Sequence, residues 1–71
     1  MKFSERLKQL RAEYNFTQNQ LAQMLSMHVR SIRKYEAADM EPTLSVLMTL
    51  ADYFDCSLDY LVGRSDIKER R

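Results

Sequence analysis

Apolar positions recur at helical spacing along most of the chain, and the breaks between runs fall on capping residues. Phe3, Leu7, Leu10 and Tyr14 stand at i, i+4, i+7 and i+11, one helical stripe. Ser4 is the expected N-cap of this first helix, and Asn15 suits a left-handed position at its end. Thr17 opens a second helix. With Gln20 it makes a capping box, the hydroxyl and the side-chain amide each satisfying an orphan backbone N–H. Phe16 can staple onto Leu21, while Leu21, Ala22 and Leu25 line the inner face, the small Ala22 allowing another helix to approach closely. A break at Ser26-Met27-His28 precedes a third helix from about Val29 to Glu36, with Ile32 and Tyr35 inward.

Ala37 to Glu41 reads as a loop closed by Pro42. Thr43 then caps a fourth helix with Leu44, Leu47, Leu50, Ala51 and Phe54 inward. Ser57 caps a short fifth carrying Leu58 and Leu61, and Gly63 stops it. Val46, Leu50 and Tyr53 form a second stripe that, with Tyr60 and Val62, either extends the core or makes a dimer surface. The pattern therefore predicts an all-α domain over residues 1–63, with five helices and no strands. Residues 64–71 form a polar C-terminal tail, expected to fray.

Composition sharpens this. One Gly and one Pro leave little room for long loops, and helix formers dominate. At 71 residues the chain is near the size at which one core just suffices, so a separate catalytic domain is not expected. Cys56 stands alone, which forbids an internal disulfide, fits a reducing cytosol, and reads as a small buried apolar residue rather than a reactive thiol. Met24, Met27 and Met48 read as core filler and Met40 as an exposed loop residue. No apolar run approaches the roughly 20 residues of a membrane span, and Met1 to Leu10 lacks the apolar centre of a secretory leader. A cytoplasmic protein without membrane partners is expected. No Ser/His/Asp, paired-carboxylate or phosphate-loop arrangement is present, and His28 has only Cys56 as a second soft metal ligand. Neither enzymatic activity nor a metal or other cofactor is expected.

Charge changes the picture most. The net charge is only +1, yet residues 1–34 hold seven basic and two acidic side chains, while residues 35–63 hold six acidic and none basic. A chain so segregated can turn a basic face to a polyanion while remaining nearly neutral. On a helical wheel Arg30 and Lys34 lie roughly 160° from Ile32 on either side, flanking the most exposed line, with Arg33 beside them. Val29 lies between the core stripe and this basic face.

Two short helices joined by about three residues, the second basic on its outer face, are what a reader of the major groove requires. The run from Thr17 to Glu36, followed by Pro42, residues 44–54 and residues 57–63, resembles the phage repressor/Cro-type (Xre-like) helix-turn-helix family. Thr17-Gln18, Leu21-Ala22, Ile32, Tyr35-Glu36, Pro42, Ala51, Phe54 and Asp59-Tyr60-Leu61 all fall at the family's spacing, and the likeness covers residues 4–63. The resemblance implies a lambda-repressor-like five-helix bundle that binds double-stranded DNA as a homodimer and regulates transcription, most often as a repressor. It implies base reading by Val29, Arg30, Arg33 and Lys34, and phosphate binding by Gln18, His28 and Arg11. It also implies a structural salt bridge between Arg11 and Glu36.

The sequence departs from the family at three places. Ser26 replaces the usual Gly of the turn, so a left-handed backbone there is either strained or replaced by another geometry. His28 replaces the usual Ser cap of the third helix. Asp39 and Glu41 make an ordinarily basic loop acidic, which should lower its contribution to affinity. The acidic segment motivates an alternative in which the scaffold binds a regulatory protein partner, in the manner of an antitoxin or anti-repressor, with little DNA readout.

Overall fold

All five helices end alike: the chain turns through a left-handed residue, whose own N–H and that of the next residue close back on the last turn. The computed structural model describes residues 1–70. Among them the helices are α1 (Phe3–Glu13), α2 (Gln18–Met24), α3 (Val29–Glu36), α4 (Leu44–Phe54) and α5 (Leu58–Leu61), without strands. The left-handed residues are Asn15, Ser26, Ala38, Asp55 and Gly63. After α1, the Asn15 N–H donates to Ala12 O at 3.1 Å and the Phe16 N–H to Arg11 O at 3.0 Å, the double bond of a Schellman ending.

Only Gly63 takes this conformation without steric cost, and it is also needed for space: a Cβ there would lie 1.7 Å from the Met1 carbonyl oxygen. Ser26 keeps the left-handed backbone, φ 55°, so the turn between α2 and α3 accepts the strain rather than adopting another geometry. Ala38, φ 61°, has no polar side chain to compensate. Its left-handed cost of about 1–2 kcal/mol exceeds glycine's extra unfolded-state entropy of about 0.5–1 kcal/mol. Ala38→Gly is therefore expected to stabilise the domain by about 0.5–1 kcal/mol and to raise the thermal midpoint by a few degrees. A lowered midpoint would contradict the account of that turn.

The helix starts follow local chemistry. Thr17 Oγ1 accepts from the Gln20 N–H at 3.0 Å while Gln20 Oε1 accepts from the Thr17 N–H at 2.8 Å, the expected capping box. Thr43 caps α4 through the Val46 N–H, and Ser57 caps α5 through the Tyr60 N–H. α1 differs from expectation: it begins one residue before Ser4, which lies buried inside it, and Glu5 accepts from the Lys2 N–H at 3.1 Å instead.

Leu7, Leu10, Leu21, Ile32, Leu50, Phe54, Cys56 and Leu61 are fully buried. α2 packs on α3, α1 on α3 and α5, and α4 on α5. Burial pushes the Cys56 thiol up from its ordinary pKa against the pull of Lys68 and Arg70, and the side chain sits fully buried in the core. Leu50 and Tyr60 are buried and Val46 packs partly buried on the core, so much of the second α4 stripe extends the core. Leu44, expected inward, is 65% exposed, and Leu58 is 40% exposed, each on the first turn of its helix. Met24 and Met48 are also exposed rather than filling the core, whereas Met40 packs against it. No helix among the described residues is long and apolar enough to cross a membrane.

Over residues 64–70 the tail, expected to fray, lies packed against the domain. The Ser57 N–H donates to Lys68 O at 3.0 Å, and Arg70 Nη2 pairs with Asp52 at 2.6 Å on α4. Arg6 holds its near end. The Arg6 side chain is only 4% exposed, donates to Tyr60 O at 2.8 Å and Ser65 O at 3.3 Å, and stacks 3.6 Å above the Tyr60 ring. A buried cation with two backbone acceptors and an aromatic face explains why this largely polar segment stays down.

Candidate nucleic-acid interface

The turn at Ser26 fixes how α3 leaves α2. Met27 N–H donates to Ala22 O at 2.9 Å, closing the end of α2, and His28 supplies the extended residue from which α3 starts. The His28 side chain makes no capping bond and is exposed, so it stands free at the start of α3. From α4, the Tyr53 hydroxyl donates to Met24 O at 2.7 Å, satisfying one of the orphan carbonyls at the end of α2. That clamp was not foreseen from sequence; its signal is a tyrosine on a stripe otherwise too apolar for a solvent face.

α3 divides cleanly. Ile32, Tyr35 and Glu36 are buried, Val29 is half-buried against the core, and Arg30, Arg33 and Lys34 are exposed. None of these three cations makes a side-chain hydrogen bond or ion pair with another described residue. Arg6, Arg11, Lys68 and Arg70, by contrast, are each engaged within the fold. The +5 balance of residues 1–34 is therefore not one surface, because Arg6 is buried under the tail and Arg11 is tied to Glu36.

Glu36 is the hub beneath this face. Its carboxylate accepts from Arg11 Nε at 2.7 Å and Arg11 Nη2 at 3.1 Å, a bidentate pair, and from Gln18 Nε2 at 3.0 Å. Arg11 Nη1 also donates to Phe16 O at 3.0 Å. The hydrogen bond to Glu36 raises the Arg11 pKa further, with desolvation opposing it. The expected Arg11–Glu36 pair is thus present in the geometry. The Gln18 bond was not foreseen: the amide expected to face a phosphate spends one donor on Glu36 and keeps its other donor and its oxygen. One network ties the start of α2 and the last turn of α1 to the end of α3. Among the described residues no three His, Cys, Asp or Glu side chains converge as a metal site would require.

A sequence profile for the family described as Helix-turn-helix matches residues 7–61. The chain is 38% identical over 64 residues to an uncharacterized HTH-type transcriptional regulator, YobD, of Bacillus subtilis, covering 90% of this chain and 57% of that protein. It is 39% identical over 64 residues to the cryptic phage CTXphi transcriptional repressor RstR of Vibrio cholerae, with the same coverages, 90% and 57%. An HTH-type transcriptional activator, BcrR, of Enterococcus faecalis is 33% identical over 67 residues, which are 94% of this chain but only 33% of that protein. The crystal structure of a transcriptional regulator from Listeria innocua superposes with a TM-score of 0.82 at 34% identity, over 87% of this chain and 58% of that one. The chain thus spans little more than half the length of most of these proteins.

Proposed function

The chain belongs to the helix-turn-helix family, and from that premise we propose that it binds double-stranded DNA sequence-specifically as a transcriptional regulator, with α3 in the major groove. The observation that carries this is the row of unpartnered cations on α3: Arg30, Arg33 and Lys34 face outward with no internal anion, on a helix held from behind by the Glu36 network. Lys2, Lys8 and Arg64 are also exposed without an internal anion, but the α3 cations stand together on one face of a single helix, placed for an external polyanion. Arg30 can fork onto guanine O6 and N7, Lys34 can donate to guanine, and the part of Val29 left exposed can pack on a thymine methyl. Arg33 adds a donor on the same face. Gln18 and His28, at the starts of α2 and α3, are assigned to phosphates, while Arg11 on α1 keeps its structural role against Glu36.

We assign repression as the sign of regulation. Occupying a site excludes other proteins from the same groove, whereas activation needs a further contact surface. The activator among the relatives shares only a third of its length with this chain. A homodimer is part of the proposal. One eight-residue helix reads few base pairs, and half-sites one turn apart lie about 34 Å from one another. With extents of 29 × 21 × 21 Å, two touching copies can put their α3 helices at that separation.

Substitution separates the roles. Arg30→Ala and Lys34→Ala are each expected to lose about 1–3 kcal/mol of discrimination at particular base pairs, measured by competition among single-base variants of a bound duplex. Gln18→Ala should weaken all sequences alike. If all three variants lowered affinity uniformly, direct base reading by α3 would be excluded.

A further inference from the structure

The exposed apolar side chains are not evenly spread. Tyr14 and Tyr53 are engaged through their hydroxyls, to Phe54 O and Met24 O. Leu44 and Met48, one turn apart on α4, are more than half exposed, and Leu58 is exposed on α5, which packs against α4. The three share one side of the domain. Leu47, beside Met48, lines a groove with Val62, and Val62 lies one turn from Leu58, its N–H donating to Leu58 O at 3.0 Å. This is not the stripe through Val46, Leu50 and Tyr53, which is taken up by the core and by the clamp on α2.

The rim of this side carries both signs. Lys2 and Arg64 are exposed cations, Glu41 and Asp59 exposed anions, and none of the four side chains has an ion-pair partner among the described residues. Lys2 and Glu41 border the groove; Asp59 follows Leu58, and the Arg64 N–H returns to Asp59 O at 2.8 Å. An apolar centre ringed by equal numbers of free cations and anions is complementary to itself under a two-fold rotation. The α3 face, where Arg30, Arg33 and Lys34 are all cationic, is not, because two copies meeting there repel.

Area and position point to the same occupant. The apolar centre is on the order of 400 Å², as large as the biggest patch on a typical monomer and enough for an interaction surface. Two such faces with their rims bury on the order of 1,000–1,200 Å² in total, the low end for a specific contact, which suits a weak dimer rather than a permanent one. Tyr35 and Ala38, at the end of α3, line the same groove as Leu47 and Val62, so the face adjoins the end of the proposed reading helix. Half-sites one turn apart need each α3 about 17 Å from a two-fold axis, and the domain is 21 Å across in its shorter directions.

We propose that this α4–α5 face is where a second copy of the chain docks, forming a two-fold dimer that is weak in solution and completed on DNA. The proposal rests on the DNA-binding, homodimeric reading above and assigns that dimer its surface. Two half-sites hold neighbouring copies at an effective concentration of about 1 mM, so a contact with a Kd of about 10–100 µM makes the second copy bind about 10–100-fold more tightly.

Sedimentation equilibrium of the wild-type chain between about 10 and 500 µM is expected to show a mass rising from one chain towards two. Leu44→Gln/Met48→Gln, which places uncharged helix formers at exposed positions, is expected to weaken association about tenfold or more, and Leu58→Gln on the other helix to weaken it as well. A wild-type chain monomeric throughout, or variants that associate like wild type, would overturn the proposal. On DNA, the duplex most enriched from a random library is compared with the same duplex carrying one scrambled half-site. The double variant should lose cooperativity on the first and keep its affinity for the second within about twofold. An equal loss on both would give these residues a role in the fold or at the DNA and overturn the proposal as well. If wild type bound neither duplex, the DNA-binding reading would fail, while sedimentation would still decide whether this face pairs two copies. Matching thermal melts confirm that variant and wild type are compared as folded proteins.

Discussion

Glu36→Ala is expected to destabilise the domain by about 2–4 kcal/mol and to weaken DNA binding on every sequence. Removing the carboxylate leaves the Arg11 guanidinium, whose side chain is 23% exposed, without its bidentate partner, and releases the Gln18 amide. Breaking one side of a fully buried pair costs about 3–5 kcal/mol, and the partial exposure of Arg11 lowers that range. The loss at the interface follows from position: Glu36 is the last residue of α3, and through Arg11 and Gln18 it fixes the start of α2 against α3. A double-mutant cycle with Arg11→Met, read by chemical denaturation, should give a coupling energy well above about 0.5 kcal/mol. Additive effects of the two substitutions would show that the pair contributes little.

Phe54→Ala is expected to have the largest effect on stability, about 3–5 kcal/mol. Phe54 is fully buried at the end of α4, and the Tyr14 ring meets its edge with centroids 5.1 Å apart. The Tyr14 hydroxyl donates to Phe54 O at 3.0 Å, so the same residue anchors the end of α1 to the end of α4. A domain of this size has a total stability on the order of 5–10 kcal/mol. The variant should therefore lose most of its thermal margin, seen as a cooperative melt by far-ultraviolet circular dichroism shifted down by more than about 10 °C. A shift of only a few degrees would mean that the core closes over the cavity and that α4 is held chiefly by other contacts.

What was legible in the sequence was what local rules encode. Thr17 with Gln20, Thr43 and Ser57 are caps because the N–H groups they satisfy lie within three residues. The bounds of α3 followed from the basic face turning against Ile32 and Tyr35. What was not legible depends on distance along the chain. Arg6 read as one more cation of a basic N-terminal half, but its partner Tyr60 O lies 54 residues away. Its signal was angular: Arg6 falls roughly 40° from Leu10 on the wheel, at the edge of the buried stripe. The tail read as polar and therefore loose, because hydropathy does not register a strand of residues held by ion pairs with Asp52 and Asp55. Leu44 lies at an inward angle but on a first turn, and angular position says nothing of where the neighbouring helices stop. At the candidate site the family resemblance supplied Arg11, Gln18 and Glu36 and the pairing of Arg11 with Glu36, but not that the same carboxylate also holds Gln18.

The central claim is that the exposed face of α3 reads bases. It is tested most directly by selecting bound duplexes from a random library, at a stated salt concentration, with wild type and Arg30→Ala in parallel. The account predicts that wild type enriches a two-fold-symmetric motif with half-sites about one helical turn apart, and that Arg30→Ala loses preference at one position of each half-site while keeping the rest. Recovery of no motif by wild type, or of an identical motif by both proteins, would contradict it.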